Sequence, residues 1–249
     1  MGTDNPANQH DPRGVHSGAC VLSTQRAFAK SLRLLAAWLA VAAAPAAEVT
    51  TFVVPIPPAA IDPGGSVFEV PVPQFDPGGG GVLQQIDLTL TLDLSGQMGF
   101  ENLDESLTVI YSLTLDWDVR LTRPDSSLLT QITASRMRTG LVNPFDGTDD
   151  FAGGSGVTLD VTAAGESAAF STTDAADLSL FSGTGTVVMP LEAAFAGTAS
   201  SVPEVEFDTF FAAALEGQLE VRYTWIPEPG GLWLLIGAML GVVVRRSGR

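Results

Sequence analysis

The chain has 249 residues, of which 45% are hydrophobic, enough for one domain with a sizeable core. Residues 47–229 hold five arginines, no lysine and 26 acidic residues, a net charge of −21 that disfavours nucleic acid as a partner. Both histidines and the single cysteine lie before residue 21, which excludes serine–histidine triads, cysteine nucleophiles and histidine-ligated metals from this segment.

The first predicted element is an export signal. An apolar run at residues 34–44 is followed by the small side chains of Ala44 and Ala46, at the positions that a signal peptidase reads. Three basic residues precede the run: Arg26, Lys30 and Arg33. We therefore expect a signal-peptide helix at residues 25–46, cut after Ala46 by signal peptidase.

Residues 1–24 fit poorly in front of such a signal, because they are polar and contain proline and glycine. We interpret them as a non-native extension from a start codon assigned too early, with the true start at Val21. Cys20 precedes the apolar run rather than following it, which excludes a lipid-modified cysteine.

The next segment has the period-2 pattern of half-buried strands. Every odd residue from 107 to 121 is apolar, while all but one of the even residues are polar. The same alternation recurs at residues 86–94 and 219–225. Shorter strand candidates lie at residues 67–72, 128–134, 157–161, 166–171 and 185–195.

These patterns predict an all-β fold. Sheets with one wet face must pack their apolar faces together, so we expect an antiparallel β-sandwich of seven to nine strands over residues 47–226. Residues 207–215 are the one candidate for a helix. The last strand ends at Trp225 and Ile226 and runs straight into Pro227.

The C-terminal segment, residues 227–249, has three parts. Pro227, Glu228 and Pro229 hold the chain extended as an accessible, unfolded peptide, because proline disfavours helical geometry. The uncharged apolar run 230–244 predicts a short transmembrane helix of about 22 Å, which can insert with local thinning of the bilayer. Three arginines follow the run: Arg245, Arg246 and Arg249. We expect them to stay on the cytoplasmic side of the membrane.

This order of parts resembles the PEP-CTERM sorting signal of Gram-negative bacteria that make exopolysaccharide. The resemblance implies recognition by exosortase, an integral-membrane enzyme that cleaves near the Pro-Glu-Pro tripeptide. It also implies that the inner-membrane precursor is passed to the cell surface or extracellular matrix. The alternative is a permanently membrane-anchored periplasmic protein whose C-terminal segment is not removed.

A second resemblance covers the β region. Residues 73–77 with the strand after them, residues 145–153 and residues 219–227 are similar to the choice-of-anchor domains of type E. Those exported domains are attached to differing C-terminal anchors and have no established activity, which implies a non-enzymatic domain. Residues 78–81, four glycines, depart from the Leu-Gly-Thr-Leu-like continuation usual in that family.

Two other functions stay open for the β region. Paired carboxylates could hydrolyse glycosides, but no spacing singles out one pair, so no catalytic residue is predicted. A carbohydrate-binding module acting on exopolysaccharide would need exposed aromatic platforms. Four aromatic residues fall on apolar strand faces and predict core packing instead: Tyr111, Trp117, Tyr223 and Trp225. The remaining candidates lie in predicted loops: Phe75, Phe100, Phe145 and Phe151.

Calcium is the one cofactor that the sequence leaves open. Asp146, Asp149 and Asp150 could offer carboxylate oxygens to a hard cation. The spacing is not that of an EF-hand, and Asp-Gly is an ordinary turn dipeptide. We therefore predict no bound metal and keep these three residues as the only candidate ligands.

Overall fold

Strands dominate the described part of the chain, which in this computed structural model comprises residues 46–228. A short helix, α1, spans Ala175–Leu180, and a single 3-10 turn spans Pro77–Gly79. The eight strands are β1 (Glu48–Ile61), β2 (Ser66–Pro73), β3 (Gly81–Asn102), β4 (Val109–Thr122), β5 (Leu128–Val142), β6 (Gly156–Thr172), β7 (Thr186–Val202) and β8 (Phe207–Pro227).

The predicted signal peptide up to residue 45, the transmembrane segment 230–244 and the terminal arginines lie outside the described residues. Across positions 46–228, no helix has the length and apolar character needed to cross a membrane.

The strands form two four-stranded sheets in which all neighbours are antiparallel. Sheet A has the order β1-β8-β3-β6, and sheet B has the order β2-β7-β4-β5. The prediction of an all-β, antiparallel fold is confirmed, and the arrangement is consistent with a β-sandwich.

One apolar core takes side chains from both sheets, and it follows directly from the period-2 pattern. In β3 the alternate residues Leu88, Leu90 and Leu92 are fully buried, as are Leu113 and Leu115 in β4. Burying a leucine side chain contributes about 1.5–3 kcal/mol. Three of the four aromatic residues predicted to be core residues are buried there: Tyr111, Trp117 and Tyr223. The fourth, Trp225, is partly buried and packs against the core.

The one candidate helix, residues 207–215, is instead the first half of β8. Leu215 pairs with Ala59 of β1 on one side and Leu94 of β3 on the other. Pairing on both edges overrides the helical preference of the alanines and leucine. Tertiary contacts therefore decide the conformation of this segment.

The predicted strands at residues 157–161 and 166–171 are parts of one strand, β6. The register of β6 against β3 shifts between Leu92 and Leu94, and Gly165 has a φ of +70°. A bulge of this kind inserts a residue and interrupts the alternation of side chains. The sequence pattern therefore looks like two strands with a turn between them.

The two ends of sheet A have different surroundings. The exit end consists of residues 46–48, 80–81 and 225–228, where β1 begins and β8 finishes. The loop end consists of the connections at residues 103–108, 143–155 and 203–206. The 22 residues of β3 run from one end to the other, about 70 Å at 3.3 Å per residue.

Candidate functional site

The predicted sorting tripeptide begins inside sheet A. Pro227 is the last residue of β8, is half-buried and pairs with Gly81 at the start of β3. The N–H of Glu228 donates to the carbonyl of Gly80, while the residue itself is exposed. The expectation of a free, unfolded peptide is therefore wrong for Pro227 and Glu228, since Pro227 pairs with β3 and Glu228 is hydrogen-bonded to Gly80, the residue before β3. Pro229 lies outside the described residues.

Trp225 packs this end of the strand onto its neighbours. Its ring centroid lies 5.6 Å from that of Phe75, and its Nε1 donates to Oγ1 of Thr50 at 3.2 Å. A side chain at Gly81 would overlap the Trp225 ring. Any larger residue at position 81 would force this ring to move, which gives a physical reason for one of the four glycines that depart from the choice-of-anchor pattern.

The two predicted cleavage positions lie at the same end of sheet A. Glu48 at the start of β1 pairs with Trp225, two residues before Pro227. Ala46, which is exposed, precedes Glu48 by two residues, and Ala44 lies outside the described part of the chain. The strand register thus brings Glu48 and Trp225 together, and each of them lies two residues from a predicted processing residue, Ala46 or Pro227.

Two of the three candidate calcium ligands act as acceptors within their own loop. Asp146 Oδ1 accepts from the N–H of Thr148 at 3.1 Å, and Asp150 Oδ1 accepts from the N–H of Ala152 at 3.0 Å. Asp149 is exposed. Among residues 46–228, no three histidine, cysteine or acidic side chains gather in an arrangement that could hold a metal ion. The observed bonds are those expected of aspartates in turns.

Sequence reasoning missed Glu101, a buried carboxyl group near the end of β3. The residue is 0% exposed, and within the described residues neither of its carboxyl oxygens has a hydrogen-bond partner. A side chain at Gly156, its neighbour in β6, would overlap both the Glu101 carboxyl and the peptide joining Phe151 and Ala152. The 143–155 connection therefore covers Glu101, and no local pattern at position 101 indicates that cover.

The structure reduces the aromatic candidates for a carbohydrate platform. Phe100 is fully buried in β3 and Phe75 is 7% exposed, so the expectation that both lie in accessible loops is wrong. Phe145 and Phe151 are half-buried in the 143–155 connection. The Phe151 ring meets Phe210 edge to face, with centroids 4.9 Å apart, so it packs on the sheet.

Arg123 and Asp177 form a bidentate ion pair between the β4–β5 turn and α1. The Arg123 Nε lies 2.6 Å from Asp177 Oδ1, and Nη2 lies 2.9 Å from Oδ2. These bonds hold the pKa of the Asp177 carboxyl below its ordinary value and raise the pKa of Arg123. The remaining Nη1 donates to Ser127 and Leu128. All three guanidinium nitrogens donate within the protein, so the pair fixes the connection rather than offering a ligand site.

The outer face of sheet B carries a shallow groove of about 450 Å³. Its lining includes Asp116, Asp118 and the small side chains of Ala194 and Ala196. Asp118 forms an exposed ion pair with Arg120 at 2.6 Å. Exposed pairs of this kind contribute little free energy, and they are an ordinary feature of a solvated sheet face.

No protein-family model matches the sequence, and no curated protein is similar to it. Among solved structures, a chain of the infectious bursal disease virus Gx strain is 10% identical with a TM-score of 0.17. The match covers 76% of this chain but only 38% of the viral chain. A Desmodium yellow mottle tymovirus chain is 11% identical with a TM-score of 0.16, and the match covers 76% of this chain and 94% of the other. At such low TM-scores these similarities carry no argument about function.

Proposed function

We propose that this chain is an exported surface or matrix protein, sorted by an exosortase-type enzyme through its C-terminal segment, with a non-enzymatic β-sandwich as the part delivered. The observation that carries the proposal is the order of three features after the last strand. These are the Pro-Glu-Pro tripeptide at 227–229, the uncharged run 230–244 and the three terminal arginines. The tripeptide provides an extended cleavage region, the apolar run inserts into the membrane, and the arginines set the orientation.

Two further observations support export. The basic, apolar and small-residue pattern at residues 25–46 is that of a signal peptide. Glu48, two residues after Ala46, pairs with Trp225, two residues before Pro227, so both proposed cuts would be made near the same end of sheet A. Signal peptidase and exosortase are then the processing partners, and the membrane is the site where the precursor is held. Exopolysaccharide is the surrounding matrix.

The test replaces Pro227, Glu228 and Pro229 with alanine in the full chain, expressed in a host with an exosortase pathway. We expect the uncut precursor to accumulate in the inner membrane, whereas mass spectrometry of the unaltered protein should show a new C-terminus near residue 227. The matched control replaces Pro57 and Pro58, two exposed prolines of the edge strand β1, with alanine and should leave sorting unchanged. Normal release of the triple variant would refute the proposal.

A further inference from the structure

The exit end of β8 is bound on both edges almost to its last residue. Up to Trp225, β8 is paired with β1 on one side and β3 on the other. From Trp225 to Pro227 it stays paired with β3, and the N–H of Glu228 donates to the carbonyl of Gly80. The sheet therefore extends into the sorting tripeptide, and the described residues contain no linker between the two.

Side-chain packing adds to this pairing. The Trp225 ring covers Gly81, lies against Phe75 and is tied to Thr50 of β1 through its Nε1. The ring thus contacts both strands that flank β8 as well as the segment before the 3-10 turn. Moving Pro227 away from the sheet would disturb this aromatic contact.

An enzyme that cleaves a peptide bond binds several residues on each side of it in an extended form. Backbone groups that are already paired in a sheet cannot at the same time pair with an enzyme, as peptide recognition by strand addition requires. Cleavage of a folded segment then proceeds through a locally opened state, and its rate follows the population of that state. At the exit end, opening requires residues 225–228 to separate from residues 80–83.

We propose that the β region protects Pro227 and Glu228 at the start of its sorting tripeptide, so that cleavage near Pro227 follows detachment of residues 225–228 from sheet A. The inference rests on the proposed function and adds its regulation: the folded domain sets the processing rate. The contact is autoinhibitory, because the same pairing that completes β8 withholds the peptide from the enzyme.

The test inserts a six-residue Gly-Ser linker between Ile226 and Pro227 in the full chain, which moves the intact tripeptide away from the sheet. Processing, followed by pulse-chase in the exosortase host, should become about tenfold faster, because one or two backbone hydrogen bonds no longer have to open. The control places the same linker after Gly147, in the exposed turn of the 143–155 connection. The control rate should equal that of the unaltered chain.

A second variant, Trp225→Ala, removes the ring that packs this end and should also speed processing. Hydrogen exchange of the unaltered chain should show slower exchange at Glu228 than in the linker variant, which reports the protection independently of any cleavage. An unchanged or slower processing rate in the linker variant would overturn the inference. The alanine variant of the tripeptide distinguishes the two proposals. If that variant is released normally, exosortase sorting is refuted. If it is retained in the membrane while the linker variant is processed at the unaltered rate, only the autoinhibition is refuted.

Discussion

Replacing Glu101 with methionine should stabilise the protein. Glu101 is fully buried on β3, and its carboxyl oxygens have no hydrogen-bond partner among the described residues. A buried polar group without a partner loses its bonds to water and gains none in return. Methionine has a similar length, no polar group to satisfy and enough conformational freedom to fill the same space beside Gly156.

The size of the effect follows from two opposing contributions. An unsatisfied buried polar group costs about 1–3 kcal/mol, and removing it returns that free energy. A swap that nearly conserves volume in a packed site costs less than about 1.5 kcal/mol. We therefore expect Glu101→Met to raise the free energy of unfolding by about 1–2 kcal/mol. In a domain of this size, that change raises the Tm by about 2–8 °C.

The assay is urea-induced unfolding followed by tryptophan fluorescence, since Trp117 is buried and will report loss of the core. The matched control is Glu105→Met, which changes an exposed glutamate at the same loop end and should leave the free energy of unfolding nearly unchanged. If Glu101→Met were less stable than the unaltered protein, the carboxyl group would have to be satisfied by an interaction absent from the described contacts. The reasoning from burial would then fail.

Two further stability predictions concern other parts of the fold. The hydrogen bonds from Arg123 make the pKa of Asp177 lower in the folded protein than in the unfolded chain. The stability that this carboxylate contributes is therefore complete above the unfolded pKa of about 4, and it is lost as the pH falls through the lower pKa of the folded protein. Asp177→Asn should therefore lower the free energy of unfolding by about 3 kcal/mol at pH 7. It should also make that free energy less dependent on pH in the acidic range, and an unchanged dependence would contradict the role of the pair. Gly197→Val should cost about 1–3 kcal/mol in urea unfolding, because its side chain would overlap the Phe211 ring. Gly64→Val, a substitution into open space, is its control, and equal stability of the two variants would contradict the overlap.

Much of the fold follows from alternation along single strands. The odd residues of β4 are apolar in the sequence and buried in the structure. Alternation alone predicts this burial, because one face of an antiparallel sheet packs on the core and the other faces water. β1 was not predicted, since Pro55, Pro57 and Pro58 interrupt its pattern. Proline removes a donor that a central strand would use, but β1 is an edge strand and tolerates it. Edge position is a property of the sheet and not of the segment.

In the candidate site, too, features local to one segment can be predicted from the sequence, whereas features set by the arrangement of the strands cannot. Pro227, Glu228 and Pro229 stand out in the sequence because tripeptide, apolar run and arginines are neighbours along the chain. The pairing of Pro227 with Gly81 depends on which strand lies beside β8, and periodicity carries no information about that choice. Glu101 was missed for a related reason. Its burial is produced by a connection that folds over the sheet, which no local pattern at β3 records.

The place of β8 in sheet A has a consequence for how the protein is made. β8 is the last of the eight strands within residues 46–228, yet it lies between β1 and β3, and its Trp225 bonds to Thr50 across 175 positions. Until β8 has been synthesised, β1 has no neighbour in its sheet. Contacts between residues so distant in sequence form slowly, so sheet A stays incomplete in the nascent polypeptide until β8 is present. Mutual repulsion among its many carboxylates then limits association between unfinished copies.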